Sequence, residues 1–121
     1  MAEIQTYRDL IAWQRGMDLA RTIYRATVQM PRAEQFGLTN QMRRAAVSIP
    51  SNIVEGYARQ SLLDYLKHLR VSRGSLAELS TQYELATDLI MIPKEAPVIE
   101  LLNEEDRVLQ GLIRSLEAKL P

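Results

Sequence analysis

The sequence predicts an all-α protein, an antiparallel up-and-down four-helix bundle. Three observations carry this. Apolar residues recur at three- and four-residue spacing in four segments, short connectors bearing proline or glycine separate those segments, and no stretch sustains the alternation of a half-buried strand. At 121 residues the chain has the length of one domain, residues 1–121, and can bury about two-thirds of the surface of its unfolded form.

The first helix is expected over about residues 9–29, where Leu10, Trp13, Met17, Ala20 and Ile23 share one face; Pro31 ends it by excluding its predecessor from the helical region. "PRAEQFG" is a connector stopped by Gly37. Thr39 is expected to cap a second helix over about 40–56, closed by Gly56 or the following "YARQ". Ser61 and Asp64 read as a capping box for a third helix over about 61–90, carried by Leu62, Leu66, Leu69, Leu76, Tyr83 and Ile90. Pro93 and Pro97 bracket a turn. The fourth helix fills about 97–119, with Pro97 in the first turn, where its missing N–H has no role. Helices on such short connectors lie antiparallel to their neighbours.

Several function classes find no support. Without cysteine there is no disulfide framework and no thiolate metal site, and a reducing cytoplasm is compatible. No run approaches the roughly 18 apolar residues of a membrane span, and "MAEIQTYRDL" lacks the layout of a signal peptide. His68 is the single histidine, and the Glu-x-x-His spacing of di-iron bundles would need an acid where Tyr65 stands. No metal, cofactor or catalytic residue is therefore expected, and His68 reads as a partly exposed polar position. The run "NEEDR" reads as a solvated helix face. Gly16, Gly74 and Gly111 fall inside helices at about 1 kcal/mol each relative to alanine, which predicts close helix contact.

Charge balances to zero overall but not along the chain. Arg43, Arg44, Arg59, Lys67, Arg70 and Arg73 dominate residues 39–73, against Glu55 and Asp64, whereas acids dominate from Gly74 onward. Two such segments can pack against each other or across subunits. Alternatively Arg43, Arg59, Lys67, Arg70 and Arg73 present a basic face to the phosphates of RNA or DNA, although the pI of about 6.6 lies below the value of about 9 common in dedicated binding domains.

The segment "RRAAVSIPSNIVEG" combines three patterns. On a helical wheel Met42, Ala45, Ala46, Ile49, Ile53 and Tyr57 form a core face. Val47, Pro50, Val54 and Ala58 form a second apolar face, one more than a lone bundle requires, and so a candidate contact with another copy. Arg44, Ser48, Asn52 and Glu55 lie on the remaining polar stripe. Pro50 cannot donate to the Ala46 carbonyl, so a kink near Ala46 to Ile49 is expected, with Ser48, water or a neighbouring side chain satisfying that oxygen.

With "DLIAWQRGMDLARTIY", "LTNQMRRAAVSIPSNIVEG" and "RQSLLDYLKHLRVSRGSLAELSTQYELA" the chain resembles the 23S rRNA intervening-sequence proteins, a family of four-helix bundle proteins, over nearly its whole length. The resemblance implies a non-enzymatic, ring-like homopentamer. It also implies kinship with the accessory subunits of diversity-generating retroelements, whose basic surfaces engage a reverse transcriptase and nucleic acid. The neutral balance and acidic fourth helix depart from that pattern. Carried onto this sequence, the signature residues are Arg44, Ser48, Asn52, Glu55 and Gly56, with Gly74, Ser75 and Glu78. They imply a polar network in which Arg44 pairs with Glu55 or Glu78, and Asn52 bonds to a neighbouring helix. The expected function is an oligomer that binds RNA or DNA through its basic face, the alternative being a protein scaffold or adaptor.

Overall fold

A computed structural model describes residues 3–121; Met1 and Ala2 of the expected domain lie outside the described residues. Four helices make the fold: α1 (Ile11–Thr27), α2 (Leu38–Ala58), α3 (Leu62–Asp88) and α4 (Ala96–Glu117), with no strand among the described residues. Each packs on its neighbours in the cyclic order α1, α2, α3, α4. Cross-helix pairs fix the directions. Thr27 meets Arg43 while Gly16 faces Pro50, Ser48 meets Ser75 while Asn52 meets His68, and Arg70 meets Glu117 while Arg73 meets Asp106. In every case rising numbers on one helix face falling numbers on the next, so consecutive helices are antiparallel.

The core is aliphatic. Leu19, Ile23, Met42, Ile49, Ile53, Leu66, Leu69, Leu79 and Leu109 are wholly buried, with every helix contributing; on α1 Leu19 takes the core position, and Trp13 and Met17 of the expected face are only half-buried. Burying each such side chain contributes about 1.5–3 kcal/mol before entropy is counted.

Local chemistry moves several helix ends from their expected places. Leu10 is extended, so α1 starts after a separate 3-10 turn, Tyr7–Asp9, closed by a Thr6–Asp9 capping box. Thr39 does not cap α2. It is the second residue of that helix, buried with its hydroxyl unpartnered, while the Glu34 carboxylate accepts from the Leu38 N–H at 3.1 Å. Ser61 caps α3, accepting from the Asp64 N–H at 3.3 Å, but the reciprocal bond of the expected capping box, from the Ser61 N–H to the Asp64 carboxylate, is not formed. Gly56 lies inside the last turn of α2, and the chain reverses instead at Gln60, whose φ is 57°.

α3 ends in a Schellman arrangement in which the Met91 N–H donates to Ala86 O at 2.9 Å and the Ile90 N–H to Thr87 O at 3.1 Å. This places Ile90, expected to be helical, at φ 57°, a left-handed conformation that β-branched residues rarely adopt. Tyr83 ties the following loop: its hydroxyl accepts from the Glu95 N–H at 2.9 Å. α2 continues through Pro50 without interruption. No helix among the described residues is long and apolar enough to cross a membrane.

Candidate interaction surface

The polar stripe of α2 becomes a hydrogen-bonded seam against α3. Ser48 Oγ lies 2.9 Å from Ser75 Oγ, and Asn52 Nδ2 donates to Ser48 Oγ at 3.0 Å and to Ser48 O at 2.9 Å. Asn52 Oδ1 lies 3.1 Å from His68 Nδ1. Because that oxygen can only accept, the neutral imidazole must carry its proton on Nδ1. Gly56 lets the helices approach, since a Cβ there would sit 2.7 Å from His68 Cβ. Outside the seam Glu55 pairs with Arg59 at the end of α2, at 3.0 Å and exposed to solvent.

Asn52 thus bonds across to a neighbouring helix, as its signature implies. Arg44 does not pair with Glu55 or Glu78: it is exposed and makes no ion pair among the described residues. Glu55 is taken by Arg59, one turn along the same helix. Arg44 and Glu78 flank Ser48 and Ser75 in a shallow polar cleft of about 380 Å³. Ser48 likewise does not serve the carbonyl freed by Pro50; its hydroxyl is engaged by Ser75 and Asn52.

The predicted basic face is dispersed and largely neutralised. Arg43 points to α1, its Nε donating to Thr27 Oγ1 at 2.8 Å and its guanidinium lying over the Tyr24 ring at 4.7 Å. Arg70 and Arg73 turn to the opposite side, toward α4, pairing with Glu117 at 2.7 Å and Asp106 at 3.2 Å. Arg59 is held by Glu55. Of the five candidates only Lys67 is exposed and free of ion pairs among the described residues. The charge asymmetry of the sequence is therefore used within the chain, joining α3 to the acidic α4.

The second apolar face lines an open groove of about 470 Å³ between α1 and α2, formed by Trp13, Met17, Ala20, Val47, Pro50 and Val54, with Ser51 the polar member. Val47 is 43% exposed, whereas Pro50 is buried. Ala58, the fourth candidate, is exposed at the end of α2 outside the groove lining.

Sequence reasoning missed Glu105. Within "NEEDR", whose pattern predicts a solvated face, Glu105 is wholly buried and neither carboxyl oxygen has a hydrogen-bond partner. Burial pushes its pKa up to about 9; Glu104 adds to the rise and Arg15 opposes it. The acid faces α1 at Gly16, where a Cβ would sit 2.8 Å from Glu105 Oε2 and 3.5 Å from both Ile49 Cγ2 and Pro50 Cβ. Gly16 thus has the close contact its helical position predicts. Gly74 and Gly111 do not, since an added Cβ meets nothing within 4 Å at either. Glu105 sits three residues after Leu102 and four before Leu109, both core residues, so periodicity alone could have found it.

No group of three or more metal-binding side chains occurs among the described residues. These features define a four-helix bundle with its polar groups drawn into helix–helix seams and an apolar surplus left outside the core. The family model for the 23S rRNA-intervening sequence protein matches residues 8–114, and the chain belongs to that family. A solved structure of a protein of unknown function from the S23 ribosomal protein family of Bacteroides thetaiotaomicron VPI-5482 has the same fold. It is 20% identical, with a TM-score of 0.78 over 86% of this chain and 96% of that one. No curated protein matches significantly.

Proposed function

We propose that the protein is a non-enzymatic, cytoplasmic assembly module whose α1–α2 groove receives another copy of itself, forming a ring-like homo-oligomer. The observation that carries this is the groove's composition: six apolar side chains and one serine on the outside of a bundle whose core is already filled. The resemblance to homopentameric intervening-sequence proteins favours a second copy as the occupant. In a ring the groove of one subunit meets a different surface of the next, a heterologous contact that closes by rotation. The assembled ring then acts as a scaffold for a protein partner, as retroelement accessory subunits do.

The test is the mass of the purified protein in solution, with Val54→Glu as the disrupting variant. The wild type should sediment as an oligomer and the variant as a folded species of lower mass. A monomeric wild type sinks the proposal.

RNA or DNA binding is the second reading, favoured by the free, exposed Lys67 between Arg59 and Arg70. It requires Arg59, Arg70 and Arg73 to exchange carboxylates for phosphates. Retention of a structured RNA at low salt, weakening steeply as salt rises and lost on changing Arg59, Lys67 and Arg70 to alanine, would support it.

A further inference from the structure

The outward face of α3 is more apolar than a solvent-facing helix side should be. Leu63 is 67% exposed, Val71 45% and Leu85 48%. Gly74 stands midway on the same face, exposed, with open space where its Cβ would be. A glycine there weakens the helix by about 1 kcal/mol relative to alanine. Nothing inside the subunit offsets that loss.

These positions are symmetric about Gly74. Leu63 and Leu85 lie eleven residues to either side of it, Val71 and Ala77 three, Lys67 and Thr81 seven, and Arg70 and Glu78 four. In an antiparallel pair of identical helices crossing at Gly74, residues equally far before and after it face each other. The geometry points to a second copy of this chain as the occupant of this face, docked isologously through α3 with Gly74 on the twofold axis.

In that arrangement Leu63 packs on the partner helix at Leu85, twice by symmetry, since both lie within about 20° of Gly74 on the helical wheel. Arg70 meets Glu78 of the other copy, also twice. Arg70 now bonds Glu117 at 2.7 Å, and its guanidinium has donors enough for both acids. The missing Cβ of Gly74 lets the backbones approach at the crossing point. From Leu63 to Leu85 the stripe spans about 33 Å at 1.5 Å per residue. The contact uses neither the α1–α2 groove nor the ring it implies, so either can fail without the other.

The chain has no cysteine, which permits a clean test. Gly74→Cys should form a disulfide-linked dimer under mild oxidation. Gly111→Cys, at an equally open glycine on α4, should not. In the full chain Glu78→Arg should abolish the α3-dependent increase in sedimenting mass, and Arg70→Glu combined with Glu78→Arg should restore it. Cross-linking should persist when Val54→Glu is added, which separates this contact from the ring. Equal cross-linking at both cysteine positions, or a mass unaffected by Glu78→Arg, overturns the proposal.

Discussion

The seam between α2 and α3 and the carboxyl of Glu105 are two ways of placing polar atoms among packed helices. Along the seam Ser75, Ser48, Asn52 and His68 satisfy one another at 2.9 to 3.1 Å. In the core Glu105 brings two oxygens to α1 and finds no partner for either. Since a satisfied buried hydrogen bond contributes about 1 kcal/mol and an unsatisfied group costs about 1–3, the seam holds the helices in register. The acid, by contrast, makes the bundle sensitive to its protonation state.

The largest expected effect is at Glu105. Its folded pKa of about 9 lies above the ordinary carboxyl value of 4.5, so between these limits the folded chain binds the extra proton. Stability is then full below about pH 4.5 and falls as pH rises toward 9, by up to about 1.4 kcal/mol per pH unit. Glu105→Leu removes the titration and should raise the melting temperature more at pH 8 than at pH 5. Parallel melting curves for the two proteins across that range would contradict the buried-acid account.

A smaller effect is expected at the seam. Asn52→Leu removes bonds to Ser48 and His68 and leaves His68 Nδ1 without its acceptor, a loss of about 1–3 kcal/mol for a half-buried site. Chemical denaturation should show it as a lower midpoint with an unchanged slope. The smallest effect is at Arg44, whose expected ion pair is absent. Arg44→Ala should alter stability by no more than about 0.5 kcal/mol, as at an ordinary surface position, and a loss of several kcal/mol in the same titration would restore the ion-pair reading.

What the sequence revealed and what it hid follow from the range of the interaction. Helix periodicity is local, so the four helices and the core residues Met42, Ile49 and Ile53 were legible. The seam was half legible, because Ser48 and Asn52 share a face through their own spacing. Their partners Ser75 and His68 depend on how far α3 slides along α2, which local pattern does not report. That same unknown register produced the incorrect pairing of Arg44 with Glu78; Glu55, eleven residues along the same helix, lies about 16 Å away and out of reach. The five basic residues formed one face only in linear order; folding sends Arg43 toward α1 and Arg70 and Arg73 toward α4. Glu105 was obscured by its charged neighbours, although its place between Leu102 and Leu109 marked it as a core position.

The reversal at Gln60 bears on the order in which the molecule assembles. Only Arg59, Gln60 and Ser61 separate α2 from α3, so closing this hairpin restricts few residues, and contacts near in sequence form fastest. The α2–α3 pair is therefore the expected folding nucleus, with α1 and α4 joining it from the two ends of the chain. Native-state hydrogen exchange should find the amides facing the seam among the last to open, and α1 opening at lower free energy. Earlier opening of α2 and α3 would place the nucleus elsewhere.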